Sequence, residues 1–140
     1  MIDLSNVTPF AEGGNRKCFV HPNNKDRCLK VVHLGLAEKI KKSKPWYKKL
    51  RSSDSFDDNL REQAAYNQKA LKNENQDVWI HLAKWYGMTE TSIGMASETE
   101  LIRNGEEIAE TLESYLFREG LTDEISEAIE NFHIWLRAHL

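Results

Sequence analysis

Apolar residues follow a period of two near the N-terminus and a period near 3.6 further on, which predicts a sheet first and helices after it. "VTPFA" (7–11) predicts a short strand, Glu12–Arg16 a turn, and "KCFVHP" (17–22) a second strand ended by Pro22. "NNKD" is turn-rich, and "RCLKVVH" (27–33) predicts a third strand, completing an antiparallel meander. Residues 34–55 are polar, basic and interrupted by Pro45; a mobile insert with one short helix around Trp46–Leu50 is expected there. "FDDNLREQAAYNQKALKN" (56–73) predicts a helix with Phe56, Leu60, Ala64, Ala70 and Leu71 on its buried face. Asp57 and Asp58 suit its N-terminus, and Lys69 and Lys72 its C-terminus. Strand character returns at about 84–90 and 93–102, with a hairpin turn at Thr91-Ser92. "GEEIAETLESYLFREG" (105–120) predicts a helix stopped by Gly120. Thr122 then caps a last helix, with Asp123 and Glu124 in its first turn and Ile125, Ile129, Phe132, Leu136 and Leu140 as a buried stripe. The fold class is α+β, in the order βββ–α–ββ–α–α.

Composition changes this picture little. The 140 residues suit one domain, with 40% hydrophobic and 29% charged side chains. No apolar run approaches a membrane span, and the N-terminus lacks a signal-peptide pattern, so a cytoplasmic protein without membrane attachment is expected. Cys18 and Cys28 fit a reducing compartment, and neither they nor the five histidines have metal-ligand spacing, so no structural metal is expected.

Charge adds more. The net charge is −3, yet "KIKKSKPWYKKLR" (39–51) holds seven Lys or Arg and no acid, leaving 12 basic against 22 acidic side chains elsewhere. A uniformly basic nucleic-acid binder is excluded. Within the run, Trp46 and Tyr47 leave base stacking or contact with anionic lipid open beside the plainer reading of a solvated insert. Trp79, Trp85 and Trp135 are read as packing residues.

The candidate chemistry begins at Gly13-Gly14. Two glycines in a turn allow a phosphate to approach the backbone, but a plain hairpin explains them equally well. Arg16 and Lys17 beside them either add charge near a phosphate or are simply exposed. Lys30 shares its strand face with Cys28 and Val32, so it needs a partner or a route to water. Glu62, at the margin of the helical stripe about 40° from Tyr66, is either that partner or a solvated glutamate. The order of elements, with a glycine turn between the first strands and a lysine on the third, resembles the small lobe of a protein kinase. There a strand lysine holds the α- and β-phosphates and a helix glutamate fixes the lysine.

"FAEGGNRKCFVHPNNKDRCLKVV", with its spacing G-x-x-R-K-C-[aromatic]-x-H-P and then R-C-[aliphatic]-K-[aliphatic]-V, resembles the opening of the YrbL family. These are bacterial proteins named for the PhoP regulatory network and similar to protein kinases. "LREQAAY" and "YGMTETSIGMASETELIRNG" resemble later parts of that family. The likeness covers residues 4–33 well, 56–140 moderately and the basic insert poorly. It implies a kinase-like N-terminal lobe over 1–104, carrying five antiparallel strands, one helix and the insert 34–55. Residues 105–140 would be a two-helix start of an incomplete large lobe. Gly13, Gly14 and Arg16 would match the phosphate loop, Lys30 the strand lysine and Glu62 the helix glutamate, with ATP as the cofactor. Cys28 would lie under adenine, and Glu100–Ile102 near the hinge that bonds adenine through its backbone.

The departure from the pattern is equally specific. No H-R-D-like or D-F-G-like stretch occurs, so no catalytic residue is assigned. The sequence is expected to be a fragment or a shortened relative that does not transfer phosphoryl groups alone. The expectation is thus a regulatory protein with a nucleotide-binding lobe. The alternative is a non-catalytic interaction module that binds a protein through its sheet edge, basic insert or last helix. Exposed apolar residues on the last helix would also suit a homodimer, and nucleic acid is a third, weaker reading.

Overall fold

The computed structural model describes residues 1–50, 52–72 and 76–139. The expectations for Arg51, Asn73 and Leu140, and for the side chains of Ala70 and Lys72, lie outside the described residues. In chain order the elements are β1 (Ala11–Glu12), β2 (Arg16–His21), β3 (Asn24–Val32), α1 (Leu36–Ser43), α2 (Trp46–Lys49), α3 (Asp58–Tyr66) and α4 (Lys69–Lys72). They continue with β4 (Trp85–Thr91), β5 (Gly94–Glu100), β6 (Arg103–Asn104), β7 (Glu107–Ile108), α5 (Leu112–Glu119) and α6 (Asp123–His139). Single 3-10 turns occupy Ser53–Phe56 and Gln76–Trp79. No described helix is long and apolar enough to cross a membrane.

The fold is a mixed α+β arrangement around a five-stranded antiparallel sheet of order β1-β2-β3-β5-β4. Register sorts the side chains. Phe19 faces Leu29, and Val31 faces Ala96, on one side of the sheet. These four and Leu4 form the buried core, with Ile2 and Val7 packed against it. The opposite face carries Cys18, Cys28, Lys30 and Ser97. A slip of one residue would exchange the two sets, so the apolar side fixes the register that aims the polar side at α3.

The first strand is shorter than the sequence predicts. Residues 7–10 do not extend β1; they belong to a strap that crosses under the sheet. Ile2 bridges Thr91 at the far edge, Leu4 N–H bonds Ser92 Oγ at 2.9 Å, and Phe10 N–H reaches the Cys18 carbonyl at 2.9 Å. Pro9 has no N–H to give a ladder, while Leu4 is buried in the core and Val7 packs against it.

The insert holds two helices, α1 and α2, where one was expected. Neither has a buried residue. The helix expected over 56–73 is divided: α3 is capped by the Asp57 carboxylate, which accepts from Asn59 and Leu60 N–H, and it ends at Tyr66. Its inward face also differs. Asn59, Glu62 and Tyr66 point to the sheet, whereas Leu60 and Ala64 are exposed. Hydrogen bonds to strand carbonyls, rather than apolar burial, orient this helix.

The β4–β5 turn is Ser92-Ile93, one residue later than expected, because Thr91 still pairs with Gly94. The expected helix over 105–120 begins only at Leu112, with Thr111 Oγ1 accepting from Ser114 N–H as its cap. Residues 103–108 form a small hairpin instead. Its turn passes through Gly105 at φ 64°, a conformation that favours glycine. Gly120, at φ 75°, ends α5 as expected, and Thr122 caps α6 through Ile125 N–H. The stripe on α6 is not buried: Ile125, Phe132 and Leu136 are half-buried, and Ile129 is exposed. Trp79 and Trp85 both stack with Tyr66, and Trp135 stacks with Phe132 and His139, so these three tryptophans build satellite clusters outside the main core.

Candidate functional site

β3 carries Lys30 on the face opposite the core, and α3 crosses that face. The Lys30 Nζ lies 2.8 Å from Glu62 Oε1. Arg16, at the start of β2, places its guanidinium 2.8 Å from Glu62 Oε2. One carboxylate therefore holds two cations, one on each oxygen, leaving a local surplus of one positive charge. The three side chains are 21%, 29% and 17% exposed for Lys30, Arg16 and Glu62, so the cluster is shielded but not sealed.

Burial pushes the Glu62 carboxyl up. Hydrogen bonding and charge from Lys30, with Arg16 charge and a Ser97 hydrogen bond, outweigh it and hold the group below its ordinary value. Tyr66, one turn along α3, is pushed up by burial and by the Glu62 charge. Its hydroxyl donates to the Ala83 carbonyl at 2.9 Å.

Asn59 is the residue that sequence reasoning missed. It is 2% exposed. Its Nδ2 donates to the Lys30 carbonyl at 2.8 Å and to the Met95 carbonyl at 3.3 Å, while its Oδ1 accepts from Arg16 at 3.4 Å. Asn59 thus ties α3 to β3 and β5 at the position of the ion pair. Its signal was a polar residue three positions before Glu62 and so on the same helical face. Glu98, on the core side of the sheet, was missed as well. It accepts from Arg27 at 2.6 Å and Thr89 at 2.6 Å, and Arg27 also lies over the Tyr86 ring, 4.0 Å from its centroid.

The glycine turn before Arg16 is held by its own backbone, by His33 and by Asp58 at the start of α3. Gly13 N–H bonds the Arg16 carbonyl at 2.9 Å, the His33 ring nitrogen Nε2 bonds the Gly13 carbonyl at 2.9 Å, and Asn15 Nδ2 donates to Asp58 Oδ2 at 2.8 Å. Neither Gly13 nor Gly14 has a positive φ, and a Cβ at either would meet nothing within 4 Å. The backbone is open to solvent there, with no packing that demands glycine.

The other expected positions fall as follows. Lys17 points to the core side and pairs with Glu12 at 3.4 Å, away from the cluster. Cys28 is buried two residues before Lys30 on the same strand face. At Glu100–Ile102, Glu100 N–H bonds the Lys84 carbonyl at 2.7 Å, Leu101 N–H the Asp26 carbonyl at 2.9 Å, and the Ile102 carbonyl accepts from Ala109 at 3.0 Å. Much of that backbone is engaged internally. A cavity of about 330 Å³ lies elsewhere, lined by residues of 31–38, Ser53, Asp54, Asp57 and Ile93–Met95, and none of Gly13, Gly14, Arg16, Lys30 or Glu62 borders it. Among the described residues no group of three or more His, Cys, Asp or Glu is placed to hold a metal ion.

The fold and this cluster define an α+β domain whose sheet and helix are joined by a shared carboxylate. The family described as PhoP regulatory network protein YrbL matches residues 2–139, and the chain belongs to that family. Over 94 residues it is 28% identical to "Uncharacterized protein YrbL" of Escherichia coli (strain K12), and the Shigella flexneri protein of the same name aligns equally well. The match takes in 67% of this chain and 36% of each relative, so the chain spans little more than a third of their length. No solved structure shows significant similarity to it.

Proposed function

We propose that this chain is a YrbL-type regulatory protein carrying a kinase-like nucleotide-binding lobe, with Lys30 as the phosphate-facing cation and Glu62 as the group that positions it. The observation that carries this reading is the 2.8 Å contact between Lys30 Nζ and Glu62 Oε1, made on the third strand of a β1-β2-β3-β5-β4 sheet by α3, which lies between β3 and β4 in the chain. A strand lysine fixed by a helix glutamate is the arrangement that kinases use to hold the α- and β-phosphates. The residues suit an anionic ligand. Two cations share one carboxylate, and the Gly13-Gly14 backbone is bare of side chains where a phosphate would approach.

When bound, ATP would supply the triphosphate; Lys30 and Arg16 would neutralise it, and Glu62 would keep both in place. The sequence contains no H-R-D-like or D-F-G-like stretch to orient an acceptor hydroxyl or hold magnesium. This lobe therefore binds without transferring phosphoryl groups on its own. The test is a thermal shift of the chain with ATP and magnesium. A rise in melting temperature is expected for the wild type and not for Lys30→Ala. An unchanged wild-type melting temperature at millimolar nucleotide would refute the reading.

Asn59 favours a second reading. It bonds both strands and Arg16, so the cluster also works as a clamp between helix and sheet in a non-catalytic interaction module. That module would engage a protein through its sheet edge, basic insert or last helix. Under it the wild type shows no nucleotide shift, and charge reversal within residues 39–51 weakens partner binding instead.

A further inference from the structure

The basic insert is a charged motif that the Lys30–Glu62 cluster does not use. Its two helices sit differently. α1 rests on the Ser53–Phe56 turn, with Leu36, Ala37 and Ile40 half-buried and Lys39 and Lys42 exposed. α2 projects further, and every residue from 42 to 50 is exposed. Trp46 is 76% exposed and Leu50 81%, and the two lie four residues apart on one helical face. Among the described residues, none of the six lysines in 39–49 forms an ion pair. Lys41, Lys42 and Lys49 border a hollow of about 250 Å³ between the two helices, together with Glu38.

We infer that this insert is a docking surface for anionic lipid bilayers, with Trp46, Tyr47 and Leu50 entering the headgroup region and the lysines contacting lipid phosphates. No described helix can span a bilayer, so the contact is peripheral.

Charge complementarity selects an anionic surface and fixes the orientation on it. Residues 39–51 carry seven cations and no acid, whereas the rest of the chain has 12 basic against 22 acidic side chains. An anionic bilayer attracts the insert and repels the remaining surface. The apolar side chains select lipid over nucleic acid. Leu50 has no π-face for a base, and the Trp46 and Tyr47 rings are perpendicular, at 89°, so they offer no parallel platform to successive bases. Indole, phenol and isobutyl groups beside ammonium groups suit the boundary between headgroups and acyl chains: the apolar parts enter and the charges stay with the phosphates. A fluid surface also requires no preformed groove, and neither helix buries a residue that would shape one for a folded protein.

The surface is independent of the nucleotide site, and its test contains no nucleotide. The full chain is mixed with vesicles of equal parts phosphatidylglycerol and phosphatidylcholine, sedimented, and followed by tryptophan fluorescence. Sedimentation is expected with these vesicles and not with pure phosphatidylcholine, and it should weaken as salt rises. A lysine beside an anionic bilayer is worth about fivefold in partitioning. Joint Lys48→Glu and Lys49→Glu substitution should therefore lower binding by at least about tenfold. Insertion should move the emission to shorter wavelength, and Trp46→Phe should lose most of that shift while still sedimenting. The substituted side chains are exposed, so the urea midpoints of all variants should match the wild type and binding is compared between folded chains. Absent wild-type sedimentation, equal sedimentation of the doubly reversed variant, or a full emission shift in Trp46→Phe overturns the inference. So does tighter binding to polythymidylate or to polyglutamate than to the vesicles, which would assign the insert to nucleic acid or to acidic protein.

Discussion

Neutralising Glu62 should cost this fold more than neutralising Lys30, although the two side chains form one ion pair. Glu62 Oε1 takes Lys30 and Oε2 takes Arg16, each at 2.8 Å. Glu62→Gln preserves shape and removes the anion from both contacts, leaving two cations facing each other across an amide. Lys30→Met removes one contact, and Arg16 still neutralises Glu62. A hydrogen bond to a charged group is worth about 1.5–3 kcal/mol. These side chains are 17–29% exposed, so solvent screens part of that value. We expect about 2–3 kcal/mol for Glu62→Gln and about 1 kcal/mol for Lys30→Met. The assay is urea unfolding followed by tryptophan fluorescence. With a slope of about 1–3 kcal/mol/M, Glu62→Gln should lower the midpoint by roughly 1–2 M and Lys30→Met by about half that or less, at unchanged slope. Equal losses, or a larger loss for Lys30→Met, would show that Glu62 does not serve both cations and that the shared-carboxylate account is wrong.

Asn59→Leu should destabilise the chain by about 1–3 kcal/mol, because it leaves Arg16 and two strand carbonyls short of a partner inside the structure. An unaltered urea midpoint would mean that α3 is held by other contacts. Acid should also weaken the fold, with a defined sign. Glu62 and Glu98 are both held below their ordinary values despite burial. Their stabilisation is therefore present above the unfolded glutamate value of about 4.3 and is lost as pH falls through the lower folded values. Urea midpoints taken from pH 7 downward should decline over that range, and Glu62→Gln should flatten the decline; identical slopes in the two proteins would count against it.

The strands were legible because their alternation has a direct structural cause. Phe19, Leu29 and Val31 must all reach one apolar face, and that need fixes both the strands and their pairing. The same pattern hid the N-terminal strap. Val7 and Phe10 look like strand residues, but Leu4 and Val7 are apolar because they cover the sheet from below. At α3 periodicity pointed the wrong way. Its buried face is made by Asn59, Glu62 and Tyr66, whose burial depends on partners in β3, β5 and the segment before β4. Partners distant in sequence leave no local period. The hairpin at 103–108 did carry a local sign, the Asn104-Gly105 pair, which the acidic residues after it disguised as a helix start. Lys30 and Glu62 could be paired from the order of elements, whereas Arg16 as a second cation on Glu62 depended on the β2–β3 register, known only once the strands are aligned.

That register has an electrostatic consequence for the proposed anion site. Arg16 and Cys18 are separated by two residues on β2, and Lys30 faces Cys18 from β3, so the surplus positive charge beside Glu62 is offered to whatever anion arrives on this face. Under the proposed nucleotide-binding reading, a phosphate at Lys30 would draw on this surplus, whose sign is fixed by the count of two cations to one carboxylate. Exchanging Arg16 for a neutral residue would leave Lys30 and Glu62 balanced, with no surplus for an anion. Arg16 is therefore the residue whose charge decides whether this face attracts an anion or merely clamps a helix to a sheet.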